Sequence, residues 1–221
     1  MHLINKTKTI YRKLSFVARE LSFPYRRYNK RHKCIFIHVP RVAGTSILWA
    51  LGKKRGGRDH LPWYVYKTAN PNYYDRAFKF AFVRNPWDRA FSAFKYLQNG
   101  GNGTSDVQIS RELKAYCKFT DFVIKGLGNG LYRNHLLFLP QSDFVVNGEG
   151  EVVVDFLGRY ESIEEDCGFV FKHLGINYTQ FKKSNAGAST VSYKNAYENN
   201  ESLKIIAELY KQDIRIFGYS F

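Results

Sequence analysis

Two short apolar runs, each followed by a polar loop and an amphipathic stretch, organise the first half of the chain. Residues 34–39 and 80–83 are rich in β-branched and aromatic side chains, which is typical of buried strands. Residues 46–54 and the segment that starts at Pro86 then repeat apolar side chains at helical spacing, so a helix is predicted after each strand. The alternation favours an α/β fold, with one domain built on a parallel sheet that helices flank on both faces.

The signals that start and stop elements refine this picture. Asn85 is the predicted N-cap of the second helix, with Pro86 in its first position and Asn99-Gly100 at its end. The other predicted elements are a helix over residues 111–126, a strand pair formed by 144–146 and 152–154 across Asn147-Gly148, a helix that runs from a capping box of Ser162 and Glu165 to Leu174, a helix over 201–217 ended by Gly218, and loops at 100–108 and 182–192.

The first 33 residues differ from the rest by their charge, since they carry ten lysines and arginines. Apolar side chains recur at roughly helical spacing from Ile10 to Leu21, which allows two interpretations. One is a basic amphipathic helix that makes peripheral contact with a membrane or an anionic polymer, and the other is a packed helix followed by a solvated linker. We therefore divide the chain into a basic N-terminal segment, residues 1–33, and an α/β domain, residues 34–221.

The net charge of the chain limits the chemical classes of partner that suit the protein. The 34 lysines and arginines against 19 aspartates and glutamates give a formal net charge of +15 over 221 residues. This excess favours an anionic partner such as a nucleic acid, a phosphorylated nucleotide, an acidic polysaccharide or a membrane surface.

Metal and membrane signals are absent from the sequence. The three cysteines form no CxxC pair and the six histidines no HExxH pattern, so no metal site is predicted. No apolar stretch is long enough to span a membrane, and Arg19 and Glu20 interrupt the N-terminal apolar stretch where a signal peptide would be continuous. We expect a cytoplasmic protein, from a bacterium.

The loop between the first strand and its helix has the chemistry of an anion site. It reads Pro-Arg-Val-Ala-Gly-Thr-Ser over residues 40–46, where backbone N–H groups and the helix dipole favour a negative charge. Gly44 allows close approach of the backbone, Thr45 and Ser46 add hydroxyl groups, and Arg41 adds a cationic fork. The GK[ST] ending of a Walker A loop is missing. A capped turn without a ligand is the alternative.

The second strand–helix junction carries a similar set of groups. Arg84 ends the strand at the edge where α/β folds bind ligands, and Ser92 follows eight residues later on the helix. Together they are suited to a second phosphate, one by charge and the other by its hydroxyl group. Arg89 either assists them or forms a surface pair with an acidic side chain.

These two segments resemble the carbohydrate sulfotransferases, the family of the heparan 2-O- and chondroitin-type enzymes and their bacterial relatives. The family's PKxxGTS and RxPxxRxxSxY segments are matched here by PRVAGTS and RNPWDRAFSAF, in the same order and context. Residues 133–141 are similar to its NxHxxPQ stretch, residues 156–166 to its FxGRxExxxxD stretch, and residues 210–219 to its C-terminal pattern. The resemblance covers residues 34–221 and implies a P-loop-like fold.

The resemblance also implies an activity: transfer of a sulfuryl group from 3'-phosphoadenosine 5'-phosphosulfate to a carbohydrate hydroxyl, without a metal. The loop would bind the 5'-phosphosulfate through Arg41, Val42, Ala43, Gly44, Thr45 and Ser46, while Arg84 and Ser92 would bind the 3'-phosphate. His60 lies where the family has its catalytic base, with Asp59 expected to orient it or contact substrate. His135 is the second candidate base or an acceptor-binding residue, and His38 is expected to be a packed residue. The departures are Arg41 in place of lysine and Phe94 in place of tyrosine.

Two other functions fit part of the sequence. A nucleic-acid-binding module would account for the charge and the aromatic residues, but not for two strand–loop–helix units with nucleotide-binding side chains. A P-loop small-molecule kinase is disfavoured by the missing Walker lysine and by the lack of an evident magnesium aspartate. We therefore expect no nucleic acid partner, and a carbohydrate acceptor that is an acidic polysaccharide if charge steers its capture.

Overall fold

A three-stranded parallel sheet forms the centre of the computed structural model, which describes residues 22–53, 58–177 and 192–221. The strands lie side by side in the order β1 (Cys34–Ile37), β2 (Phe78–Val83) and β3 (Phe156–Arg159). Ile37 pairs with Ala81 and Val83 with Arg159, so the carboxyl ends of the strands meet at one edge of the sheet. The residues that follow β1 and β2 are therefore brought together there.

Helices flank this sheet in a single α/β domain, as predicted. Every β1 side chain is buried, because the strand has a neighbour on one side and helices packed over it. The helices are α1 (Arg27–His32), α2 (Gly44–Ala50), α3 (Trp63–Ala69), α4 (Pro71–Arg76), α5 (Pro86–Gln98), α6 (Val107–Leu113), α7 (Phe119–Asp121, continued by a π-helical segment at Phe122–Gly128), α8 (Ser142–Val145), α9 (Ile163–His173), α10 (Asn200–Leu209) and α11 (Lys211–Phe217), with 3-10 turns at Leu136–Phe138 and Tyr193–Ala196.

Helix α5 is the element that the sequence predicted best. The Asn85 side chain accepts a hydrogen bond from the Trp87 N–H at 3.1 Å, and Pro86 occupies the first turn. The apolar face of the helix forms the centre of a second core, distinct from the core around the sheet. Phe94 packs there against Phe119 and Phe122.

The predicted strand pair at 144–146 and 152–154 is wrong except for one antiparallel bridge between Val146 and Val152. Residues 142–145 form helix α8 instead, because the buried carboxylate of Asp213 accepts the N–H groups of Gln141 and Ser142 at the start of that turn. The third strand of the sheet is β3, in a segment that the sequence marked only as a motif.

Three helix predictions need correction. The helix predicted over 111–126 is divided between α6 and α7, and the one over 201–217 breaks at Tyr210, whose hydroxyl donates to the Phe138 carbonyl. Ser162 caps no backbone N–H, so the predicted capping box is not formed; its hydroxyl donates to Asp166. Residues 182–191 of the predicted polar loop lie outside the described residues, as do residues 10–21 of the predicted amphipathic helix.

The described part of the basic segment 1–33 packs on the domain. Tyr25 and Tyr28 are buried in the core around the sheet, and the Asn29 amide donates to the Cys34 carbonyl at 3.0 Å. The Tyr25 hydroxyl donates to the Tyr66 carbonyl at 2.7 Å. The boundary after residue 33 stays a prediction, but residues 25–32 contribute to the core.

Candidate active site

The loop between β1 and α2 holds two residues in the left-handed region. Arg41 has φ of 70° and Ala43 has φ of 61°, conformations that cost an L-residue about 1–2 kcal/mol each. The first hydrogen bond of α2 runs from the Ser46 N–H to the Ala43 carbonyl, so the preceding N–H groups lie at the open end of the helix. Left-handed residues just before a helix are a backbone arrangement that can direct N–H groups toward an anion.

Gly44 has a second role that the sequence did not reveal. A Cβ atom at this position would lie 1.8 Å from Nε2 of His38, which is buried after β1 and stacks on Phe36. Burial lowers the pKa of His38 well below its ordinary value, and the nearby His60 and Arg58 lower it further. The histidine is therefore a neutral packing residue, and only glycine leaves room for it.

Arg41 connects the loop to helix α5. Its Nε and Nη2 donate to the Ser92 Oγ at 3.3 and 3.0 Å, and its guanidinium lies 4.4 Å from the centre of the Tyr96 ring. Burial lowers the pKa of Arg41 to about 10, with a further contribution from Arg84, so the group remains a cation at neutral pH. Since Ser92 accepts these bonds, its own O–H can still donate to another group.

Arg84 approaches the same point from the end of β2. Its Nε and Nη2 donate to the two carboxylate oxygens of Asp88 at 2.7 and 2.8 Å, and its Nη1 donates to the Arg41 carbonyl at 3.2 Å. The guanidinium also lies 3.9 Å from the centre of the Tyr160 ring. Of its five N–H groups, three are engaged by described residues, so one on each terminal nitrogen remains for a ligand. The two predicted phosphate-binding segments thus meet in one cluster of Arg41, Arg84 and Ser92.

His60 lies against the start of the same loop. Its Nδ1 is 2.9 Å from the His38 carbonyl oxygen, and the two imidazole rings are 4.0 Å apart. Because a carbonyl can only accept, Nδ1 carries the proton and the lone pair is on Nε2. Burial lowers the pKa of His60 below 6.5, although the bond to the carbonyl opposes the shift. His60 is therefore neutral at pH 7, with Nε2 able to take a proton.

Asp59 does not hold the His60 ring; the His38 carbonyl occupies Nδ1 instead. Its carboxylate accepts from Arg26 at 3.0 and 3.1 Å and from Lys53 at 2.9 Å. Burial alone would raise the pKa of Asp59, but these two cations lower it below its ordinary value. Asp59 thereby ties the segment before His60 to α1.

His135 has the opposite tautomer. Its Nδ1 accepts a hydrogen bond from the Leu137 N–H at 3.3 Å and caps the 3-10 turn, so its proton is on Nε2. Burial lowers its pKa as well, with Asp106 acting against the shift. Neutral His135 therefore presents a donor rather than a base, which fits contact with a ligand better than removal of a proton.

Several residues of this region were missed or misjudged. Arg89 is fully buried, not a surface pair, because its guanidinium donates to the Leu137 and Leu139 carbonyls. Arg58 donates from Nε to the Thr45 hydroxyl at 2.6 Å and adds a cation beside the loop. Tyr96, four residues after Ser92 on the same helix face, was recognisable from its spacing. Tyr160 and Gln141 act across long sequence separations, which no local pattern reveals.

Residues 22–53, 58–177 and 192–221 contain no group of three or more histidine, cysteine, aspartate or glutamate side chains placed to hold a metal ion. Over the same residues, no helix combines the length and the apolar character needed to cross a membrane.

Comparison with known proteins gives the family. An uncharacterized protein of Archaeoglobus fulgidus is similar to this chain, with 27% identity over 114 residues, or 52% of this chain and 81% of the archaeal one. No solved structure matches the chain. The sulfotransferase family profile matches residues 26–220, from the residue before α1 to the penultimate residue, and it includes both loops of the cluster. The chain therefore belongs to the sulfotransferase family.

Proposed function

We propose that the protein transfers a sulfuryl group from 3'-phosphoadenosine 5'-phosphosulfate to a hydroxyl group of a carbohydrate. The observation that carries this proposal is the meeting of Arg41, Arg84 and Ser92 at the carboxyl edge of the sheet. Two cations and a hydroxyl there are suited to a ligand with two phosphate groups. The donor has that pattern, since one phosphate lies at each end of its ribose.

The loop would hold the 5'-phosphosulfate. Its N–H groups from Val42 to Thr45 precede the first hydrogen bond of α2, and together with the left-handed Arg41 and Ala43 they would face the anion. The loop itself contributes the hydroxyl groups of Thr45 and Ser46. The Arg58 guanidinium lies beside the loop, where it donates to the Thr45 hydroxyl. Charge-assisted hydrogen bonds of this kind are about twice as strong as neutral ones.

The 3'-phosphate would bind to the two N–H groups that Arg84 keeps and to the Ser92 hydroxyl. Asp88 and Tyr160 fix the direction of the Arg84 fork before the ligand arrives, so little side-chain entropy is lost on binding.

The transfer itself needs a base and a positive charge. The acceptor hydroxyl gives its proton to Nε2 of His60 as its oxygen bonds to sulfur, and the bond between sulfur and the bridging phosphate oxygen breaks. The released oxygen gains negative charge, which Arg41 and Arg58 neutralise. His60 fits the role of base better than His135 because its lone pair is on the free nitrogen.

A carbohydrate acceptor follows from the family resemblance, and the charge of +15 favours an acidic polysaccharide through electrostatic steering. The direct test incubates the protein with donor labelled in its sulfate and a panel of neutral and acidic glycans. Label on an acidic glycan is the expected result. Label on a phenol or steroid but on no glycan would show a sulfotransferase with a different acceptor.

Thermal shifts separate this proposal from a kinase or a nucleic-acid-binding module. We expect 3',5'-ADP to raise the Tm without added metal, while ATP with magnesium and an oligonucleotide do not. A ligand at a hundred times its Kd stabilises by about 2.7 kcal/mol, which is measurable as a Tm shift of about 5–10 °C. Stabilisation by ATP or by the oligonucleotide alone would contradict the donor assignment.

A further inference from the structure

Gln141 replaces a strand neighbour at the point where β2 ends. The Arg84 N–H donates to Oε1 of Gln141 at 2.9 Å, and Nε2 of Gln141 donates to the Arg84 carbonyl at 2.8 Å. One side chain thus completes both backbone hydrogen bonds of a single residue. The residue before it, Val83, is the last of the strand and pairs with Arg159.

The main chain at and just before Gln141 is itself held from two directions. The buried carboxylate of Asp213, on α11, accepts the Gln141 and Ser142 N–H groups, both at 2.8 Å. The buried Arg89 of α5 donates to the carbonyls of Leu137 and Leu139 at 3.1 and 2.7 Å, just ahead of Gln141. Gln141 is fully buried, so water does not compete for these bonds.

The position of the Arg84 backbone determines where its guanidinium can act. The Arg84 side chain is held in one direction by Asp88, the Arg41 carbonyl and the Tyr160 ring. The side-chain amide of Gln141 holds the Arg84 backbone from which that side chain extends. Hydrogen bonds to a phosphate weaken steeply with small displacements, so a shift of the backbone would misplace the two remaining N–H groups.

We propose that Gln141 is a positioning residue for recognition of the 3'-phosphate, acting through the backbone of Arg84 and without touching the ligand. The inference rests on the proposed function, in which Arg84 binds that phosphate. It deepens that function by assigning part of the selectivity for a 3'-phosphorylated nucleotide to a buried amide.

The Gln141→Glu variant tests this with almost no change of shape. A protonated carboxyl group can accept from the Arg84 N–H and donate to the Arg84 carbonyl, as the amide does, but an ionised carboxylate cannot donate. The variant should therefore keep the wild-type arrangement at acidic pH and lose it at alkaline pH. Burial favours the protonated form, which places the change above the ordinary range of a glutamate.

The measured quantity is the ratio of the Kd for 5'-AMP to the Kd for 3',5'-ADP, determined by calorimetry from pH 5.5 to 9. Each value for the variant is divided by the wild-type value at the same pH. This division cancels the pH dependence that the phosphate and the surrounding charged groups give to both proteins. The charged groups around Gln141 are Arg84, Arg89, Asp143 and Asp213. We expect the normalised ratio to be near one in acid and to fall about tenfold or more in alkali, with the affinity for 5'-AMP unchanged.

Two further variants keep the test decisive. Gln98→Glu is the matched control, because half-buried Gln98 also donates from Nε2 to a main-chain carbonyl, that of Tyr116, but away from the cluster. Its ratio should equal that of the wild type at every pH. Gln141→Met keeps the volume of the side chain but lacks both hydrogen bonds, so its ratio should be low over the whole pH range. It therefore tests the same point at any pH where Gln141→Glu does not remain folded.

The possible outcomes are distinct. A wild-type ratio near one would overturn the assignment of Arg84 to the 3'-phosphate, and this inference with it. A high wild-type ratio that persists in both Gln141 variants would overturn the positioning role alone. Equal losses of affinity for the two nucleotides would also overturn it, since they would show general loosening of the site.

Discussion

The two strand–loop–helix units of the sheet position their candidate binding groups in different ways. After β1, the conformation of the backbone shapes the loop: Arg41 and Ala43 are left-handed, and Gly44 leaves space for a buried histidine. After β2, the backbone is ordinary and side chains hold one another: Asn85 caps the helix and Gln141 binds the backbone of Arg84. The first unit is therefore sensitive to backbone changes, and the second to the loss of single polar partners.

The largest effect is expected at His60, which the first unit positions through the His38 carbonyl. Replacement by alanine should lower kcat about 10²–10⁴-fold, the usual contribution of a general base. The affinity for 3',5'-ADP should be unchanged, because the base faces the acceptor. Steady-state kinetics and calorimetry together check both statements. His173→Ala removes an exposed histidine of α9 and is the matched control.

The pH profile sharpens the same prediction. His60 must be neutral to act, and its pKa is lowered by burial, so activity should rise with pH along a limb that lies below pH 6.5. That limb should be missing in His60→Ala. If the variant keeps both near-normal turnover and the limb, His60 is not the base, and His135→Ala becomes the next variant to test.

In the second unit, Arg84→Ala should weaken 3',5'-ADP binding tenfold to a hundredfold, because a hydrogen bond to a charged group contributes about 1.5–3 kcal/mol. Binding of 5'-AMP should be little affected. Arg76→Ala, which removes an exposed arginine of α4 that donates to the Asn72 carbonyl, should alter neither. If Arg84→Ala weakened the binding of both nucleotides equally, Arg84 would not be the residue that binds the 3'-phosphate.

The backbone of the first unit can be tested at Gly44. The added methyl group of Gly44→Ala would overlap the His38 ring, and overpacking of this kind costs about 1–3 kcal/mol of unfolding free energy. His38→Ala makes room for it and keeps the main-chain carbonyl that binds His60. Urea unfolding of both single variants and the double variant should therefore show that the second substitution recovers part of the loss. Strict additivity would argue against this packing.

The smallest effect is expected from the cap of the second unit. Asn85→Ala removes the bond to the Trp87 N–H and a bond to the Ser220 carbonyl, which should cost about 0.5–2 kcal/mol. The nucleotide ratio should remain that of the wild type, because Gln141 still holds Arg84. Asn199→Ala removes the corresponding cap of α10 and should lower the Tm similarly. A changed nucleotide ratio would show that the cap contributes to the site.

The sequence predicted what local chemistry determines. Strands β1 and β2 and the capped start of α5 follow from runs of apolar residues and from Asn85-Pro86. The strand β3 was missed, because four residues with a central glycine lack a strand signature. The candidate site shows the same division: motifs singled out Arg41, Arg84 and Ser92, but the contact between Arg41 and Ser92 spans 51 positions. Such pairings, like those of Gln141 and Asp213, depend on how the helices pack.

The link between His60 and a main-chain carbonyl has a consequence for the catalytic cycle. In the proposed mechanism the imidazole becomes a cation once it has taken the acceptor proton, and the group on its other nitrogen is a neutral dipole rather than a carboxylate. Arg58 and Lys53 add positive potential at the ring, and Asp59 offsets them only in part. The imidazolium is thus more acidic here than a free imidazolium, and it should release its proton to the solvent before the next acceptor arrives. Regeneration of the base would then not limit turnover, and the rate should be insensitive to buffer concentration.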